Sequence, residues 1–226
     1  ALEEDRYYRW LTYLFLPLQY AGFAFAFWYI ATGDLTVIDR VGLAVTVGFI
    51  GGLGINTAHE LGHKKESVER WLAKIALAQS FYGHFYIEHN RGHHTNVGTK
   101  KDPATARRNE WVYLFWFRSQ IGSYLQAWEI ENTRMSIMGK SRFSFQHKMI
   151  QYTLLHFLFL SAIFGVFGGM VLVYFLYAAT IGILLLETVN YIEHYGLYRH
   201  QRENGTFETV KRKHSWNSNH FIVRLV

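Results

Sequence analysis

Leu72 to His94 reads LAKIALAQSFYGHFYIEHNRGHH, an apolar stretch that runs straight into three histidines. Whether its first part, Leu72–Ile87, crosses a membrane decides the fold. A crossing would set His89, His93 and His94 about 30 Å from His59 and His63, on the other side of the hydrocarbon. Several neutral imidazoles packed together are stable mainly around a cation, so the clusters belong on one face. Lys74, Gln79 and His84 also interrupt the stretch. It is therefore expected to be an amphipathic or re-entrant helix at the interface. On an ordinary α-helix His89 and His93 share a face, and His94 points about 100° away, toward a second ion.

Outward from this stretch the chain contains long uncharged runs. Leu11–Ile30 and Val41–Ala58 precede it; Met149–Val166 and Met170–Leu186 follow it, with Gln151 and His156 as their strongly polar members. Each can cross, or nearly cross, a bilayer as a helix. The runs lack the polar face that a buried helix of a water-soluble protein keeps. The expected fold is an all-α integral membrane protein with about four transmembrane helices. Interfacial helices, Leu72–Ile87 and Trp111–Trp128, would carry and cover the histidine-rich site.

If Leu11–Ile30 leaves the cytoplasm, then Val41–Ala58 returns His59 and His63 to it. A second hairpin, turning at Gly165–Gly169, returns His194. Of the lysines and arginines only Arg40 is then external, a strong positive-inside bias. The net charge of +6 is accounted for by that bias, and no nucleic-acid partner is expected. The chain has no cysteine, which excludes disulfides, zinc-thiolate sites and iron–sulfur centres. Gly98–Asn109 reads as a charged loop and Tyr198–Ser218 as a polar tail.

The candidate metal ligands are His59, His63, His89, His93, His94 and His194. His59-Glu60-Leu61-Gly62-His63 also matches the HExxH pattern of zinc proteases, with Glu60 as base. That reading leaves four of the six histidines without a role, and five or six imidazoles exceed one tetrahedral zinc. Two ions fit better, and imidazole suits iron, copper, nickel or zinc. His84, His147, His156 and His200 are expected to be ordinary core or surface residues.

Three motifs then carry a resemblance. His59-Glu60-Leu61-Gly62-His63-Lys64, Glu88-His89-Asn90-Arg91-Gly92-His93-His94 and Asn190-Tyr191-Ile192-Glu193-His194-Tyr195-Gly196-Leu197 resemble signature motifs of the membrane-bound alkane hydroxylases. These belong to the histidine-rich, non-haem di-iron superfamily that also holds fatty acid desaturases and xylene monooxygenase. The likeness continues through Asp102-Pro103-Ala104 and His214-Ser215-Trp216-Asn217-Ser218. It implies two iron ions, terminal hydroxylation of n-alkanes with O2, and electrons from rubredoxin and its NAD(P)H-dependent reductase. It also implies a bacterial inner (cytoplasmic) membrane location with the metal site on the cytoplasmic side. A related di-iron desaturase or xylene-type monooxygenase is the alternative, and an intramembrane zinc protease a remoter one.

Members of that family have six transmembrane helices and a further LQRHxxHH motif beyond the Ser-Trp-Asn segment. Residues 1–226 are therefore expected to be the interior of a single membrane-embedded domain, inactive without its remaining segments. Glu60, Glu88, Asp102 and Glu193 are candidates to orient the imidazoles by accepting their outer N–H groups. Asp102 could equally cap the turn at Pro103. Lys64, Lys65, Arg91, Lys100, Lys101, Arg107 and Arg108 form a basic surface over the site, suited to an acidic electron donor. Phe23, Phe25, Phe27, Phe49, Tyr152 and Phe159 could line an alkane tunnel, although ordinary packing accounts for each.

Overall fold

The structure is a computed structural model that describes residues 6–64 and 67–216. Among these the regular secondary structure is helical apart from an isolated bridge between Gln201 and Phe207. Three helices are long and apolar enough to cross a membrane: α1 (Arg6–Thr32), α2 (Val37–Gly62) and α7 (Lys148–His194). Between α2 and α7 lie α3 (Ser67–Ala78), the single turn α4 (Phe85–Glu88), a π turn (His89–His93), the single turn α5 (His94–Asn96) and α6 (Val112–Ile137).

α7 is two crossings rather than one. Gly168 has φ 81° and ψ 176°, a conformation open to glycine and outside the helical region. The rings of Phe159 and Phe175 lie 5.5 Å apart, whereas a straight helix would separate them by about 24 Å. The chain therefore folds back at Gly168, and 148–167 and 169–194 run as antiparallel legs. With α1 and α2 they make the expected four crossings. α2 continues through His59 and the second leg through His194, so these histidines ride on helix ends rather than on loops.

The second leg of α7 packs on α2 with backbone nearly touching backbone. A Cβ on Gly48 would fall 2.7 Å from the Ala178 carbonyl oxygen, and one on Gly182 would fall 3.0 Å from that of Gly48. In lipid, where burying apolar surface against a second helix gains little, such close approach is what holds helices together. α1 closes the other side of this core through Phe23, Phe27 and Ile30.

α3 is too short to cross, at about 18 Å. Leu77, Ala73 and Ala76 are buried against α1 and α2, and Gln79 and Ser80 reach between Phe23, Gly51 and Gly182. The stretch 72–87 is thus a re-entrant hairpin. Its irregular turn, with Phe81 at φ 58°, lies within protein, where non-helical backbone at membrane depth is tolerated. Glu69 anchors α3 to α1, accepting from Arg9 and from the Tyr13 hydroxyl at 2.8 Å.

α6 buries every fourth residue, Phe115, Ser119, Ser123, Ala127, Glu131 and Met135. It leaves Leu114, Phe117, Ile121 and Leu125 exposed, the one-sided pattern of an interfacial helix. The segment after α7, read from sequence as a polar tail, folds back instead. Arg199 donates to the Gly98 and Thr95 carbonyls, and the Trp216 backbone N–H to Glu193. Asn217 and Ser218 lie outside the described residues, as does Lys65.

Candidate metal centre

His59 comes from the last turn of α2 and His63 from its C-cap, His89 opens the π turn and His94 immediately follows it. Their rings form a closed cycle. Neighbouring centroids are 4.5 to 4.8 Å apart, in the order 59, 63, 94, 89, and each ring stands nearly perpendicular to the next. The Nε2 atoms converge: His59 to His63 is 2.9 Å, His63 to His94 3.3 Å and His94 to His89 3.0 Å.

These contacts cannot all be hydrogen bonds. An imidazole nitrogen offers one in-plane position, either a proton or a lone pair, so each can serve one partner. Three contacts along a chain of four nitrogens exceed that capacity. The spacing instead suits lone pairs facing one cation. With bonds of about 2.1 Å, neighbouring donor atoms lie about 3.0 Å apart at right angles and about 3.4 Å apart in a tetrahedron. The four ligand atoms fall within 4.8 Å of one another. The residues fit a transition-metal ion, and four imidazoles are more than the HExxH arrangement uses.

This geometry corrects the expectation that His89 pairs with His93 while His94 points elsewhere. The hydrogen bond from the His94 N–H to the His89 carbonyl spans five residues, so the turn is wider than α-helical and residues five apart align. Gly92 lies in this turn, and a Cβ there would meet the side-chain ends of Glu88 at 2.8 Å and Gln126 at 2.9 Å. π turns recur at functional sites.

His93 faces the other way, toward His194, with centroids 4.9 Å apart. Its ring also stacks on His89 at 5.1 Å, so the pair adjoins the four-histidine group. Asp102 Oδ2 lies 3.0 Å from His93 Nδ1. Asp102 Oδ1 accepts from the Ala104 N–H, so the turn-capping and imidazole-orienting readings of this carboxylate both hold in the geometry. The loop around it is clamped by Arg118, which donates to the Pro103 and Thr105 carbonyls and to Glu110.

The other carboxylates stand differently. Glu60 Oε1 is 3.4 Å from His59 Nδ1 on a side chain 64% exposed. Glu193 approaches His194 on Nε2, at 4.0 Å, while Nδ1 faces Ser215. Glu88 is buried with Oε1 unpartnered, and burial pushes its carboxyl up to about 8. Burial lowers the imidazoles of His63 and His89, and that of His94 to about 4. They are neutral at physiological pH, as ligation requires. Burial also opposes charge on His93, yet the bond and charge of Asp102 hold its pKa above the ordinary value.

Sequence reading missed a buried network beneath the centre. The Tyr82 hydroxyl donates to Glu187 Oε1 at 2.6 Å, and Gln120 donates to both. An acid set in an otherwise apolar helix was the available signal, obscured by ending that helix at Leu186. Beside it a cavity of about 570 Å3 opens between α6 and the first leg of α7, lined by Phe81, Ile121, Leu125, Met149, Leu160 and Ile183 among others. Of the tunnel candidates named from sequence, only Tyr152 lines it. The rings of Tyr82, Phe85 and His89 stack in succession, at 5.4 and 4.6 Å, from cavity wall to metal centre.

Comparison with known proteins gives relatives along the whole chain. It is 44% identical over 225 residues to alkane 1-monooxygenase 1 of Alcanivorax borkumensis, covering all of this chain and 56% of that protein. The same identity and coverage hold for the alkane 1-monooxygenases of Ectopseudomonas oleovorans and Pseudomonas putida. The chain thus spans about half the length of the curated relatives it matches. The fatty acid desaturase profile matches residues 40–226, a range that includes every histidine of the centre, and the chain belongs to that family.

Proposed function

We propose that this chain forms the metal-binding core of an alkane 1-monooxygenase, which converts n-alkanes to 1-alkanols with O2. The observation that carries the reading is the four-imidazole ring, with His93 and His194 beside it, set behind the Tyr82 and Phe85 rings from an apolar cavity. The identity to three alkane 1-monooxygenases supports it.

His59, His63, His89 and His94 hold one iron ion, and His93 and His194 contribute to a second. Bound there, two irons supply the activation of O2. Asp102 fixes the His93 tautomer by accepting its Nδ1–H, which leaves the Nε2 lone pair for the metal. The cavity takes the hydrocarbon, whose burial stabilises binding by about 0.8 kcal/mol per methylene. An alkane offers no polar handle, so its selection rests on the shape of the apolar cavity, whose wall at Tyr82 is backed by Phe85 and His89.

Among the described lysines and arginines Arg40 alone lies at the far end of the bundle. That asymmetry supports a bacterial cytoplasmic membrane with the metal face inward. Exposed Lys100, Lys101, Arg107 and Arg108 then offer a docking surface for rubredoxin, reduced by its NAD(P)H-dependent reductase. The test is metal analysis of the detergent-purified complete protein together with conversion of octane. Two irons per chain and rubredoxin-dependent 1-octanol are expected. One zinc and no O2-dependent product would overturn the reading, and an alkene or a hydroxylated aryl methyl product would move it to a desaturase or xylene-type enzyme.

A further inference from the structure

The cavity assigned to the hydrocarbon is not apolar throughout. Three residues of its wall, His84, Tyr152 and His156, are more than nine-tenths buried, at 8%, 4% and 8% exposure. Nε2 of both imidazoles and the Tyr152 hydroxyl have no hydrogen-bond partner among the described residues. The three stand together: a Cβ on Gly83, the residue before His84, would fall 2.9 Å from Cδ1 of Tyr152 and 3.1 Å from Cε1 of His156. Two other polar residues of the wall differ, because the Tyr82 hydroxyl donates to Glu187 and the Gln120 amide to both. A buried polar atom left unpaired is costly. An alkane in the cavity would leave all three so.

The chemistry of the wall narrows what would pair them. Among the described residues no carboxylate, ammonium or guanidinium group lines the cavity, so a charged headgroup would be buried there without a fixed counter-charge. A primary hydroxyl is uncharged, donates once and accepts twice. It can therefore serve three groups that each donate or accept. Ile121, Leu125, Phe157 and Leu160 supply apolar wall for one alkyl chain. We propose, resting on the function given above, that His84, Tyr152 and His156 form a subsite for the hydroxyl of a long-chain primary alcohol, the product of that reaction. The alcohol then binds the cavity more tightly than the alkane it came from, and these three residues set how strongly product competes with substrate.

Equilibrium binding of tritiated 1-dodecanol to the complete protein in lipid nanodiscs, with empty nanodiscs subtracted, tests this without turnover. Saturable binding is expected, with 1-dodecanol competing about ten-fold better than dodecane at equal loading per lipid. Each polar group removed should weaken the alcohol about five-fold, so Tyr152→Phe with His156→Phe loses about twenty-five-fold while dodecane competes as in wild type. Unchanged helicity and metal content would show that this variant folds. Should it not fold, Tyr152→Phe alone deletes one unpartnered hydroxyl and keeps the ring. Equal competition by 1-dodecanol and dodecane, or unchanged alcohol affinity in folded Tyr152→Phe, would overturn the proposal. Tighter competition by dodecanoate would overturn it in favour of a carboxylate subsite. Octane conversion without the alcohol preference would sink this inference alone. The alcohol preference without octane conversion would sink the functional reading and leave the hydroxyl subsite standing.

Discussion

Nδ1 of His93 lies 3.0 Å from Oδ2 of Asp102, both buried, in a loop that Arg118 holds at two carbonyls. Removing such a carboxylate partner typically lowers metal affinity 10–100-fold. Asp102→Asn presents an amide that can donate to Nδ1 and so favours the wrong tautomer. The variant is expected to bind metal about ten-fold more weakly at the His93 side while leaving the four-histidine group loaded. Arg118→Ala should give a smaller loss of the same kind, because it loosens the loop without removing the acceptor. Metal titration followed by elemental analysis reads both, and full affinity in Asp102→Asn would remove that residue from the site.

The division of the histidines into a ring of four and a pair gives a sharper expectation than a common loss of activity. His94→Ala should empty one metal position and His194→Ala the other, each lowering the bound iron of the complete protein from about two per chain toward one. Turnover should vanish in both. Two irons and normal turnover in His194→Ala would place that residue outside the centre.

The four crossings could be read from their uncharged runs because lipid demands nearly continuous apolar sequence. The convergence of the histidines on one face followed from the same topology. His94 was misplaced because periodicity assumes 3.6 residues per turn, and a single π turn changes the register over five residues. The Gly48–Gly182 contact was missed for a related reason. Small residues leave no mark in a hydropathy pattern, yet they decide which helix faces can meet. Asp102 meets His93, and Arg118 clamps the loop that carries Asp102, only through tertiary folding, which spacing does not encode.

That helix contact is itself testable. Gly48→Leu and Gly182→Leu each force a side chain into the neighbouring backbone, and overpacking of this kind costs about 1–3 kcal/mol. Gly42→Leu is a matched control, since a Cβ there meets nothing within 4 Å. Denaturation in mild detergent should rank both core variants well below the control. Equal stability of the three would show that α2 and α7 are not held by close approach.

The re-entrant hairpin makes a topological prediction. Residues 1–226 contain no cysteine, so a single cysteine placed among them reports its own position. Those at Lys64 and Lys100, on either side of α3 and the π turn, should be labelled by an impermeant maleimide from the same side of the membrane. One at Asp34, in the loop between α1 and α2, should be labelled from the other. Opposite labelling of Lys64→Cys and Lys100→Cys would mean that residues 72–87 cross after all.

Glu131 gives a pH dependence whose sign is set by its partners. Burial alone would raise its carboxyl, but hydrogen bonds from Arg134 and from the Lys148 N–H outweigh that and hold it below the ordinary 4.5. A carboxyl with a depressed folded pKa contributes stability above its unfolded value and loses it as pH falls through the folded one. Glu131→Gln keeps the shape but cannot ionise, and it strands Arg134, which is itself partly solvated. The expected loss is about 2 kcal/mol at neutral pH, below the roughly 3–5 kcal/mol of a fully buried broken pair because Arg134 reaches solvent. The gap in melting temperature between wild type and variant should hold from pH 8 to about 5 and close below about 4.5. A gap of the same size at pH 4 and pH 7 would show that the charge on Glu131 does not stabilise the junction of α6 and α7.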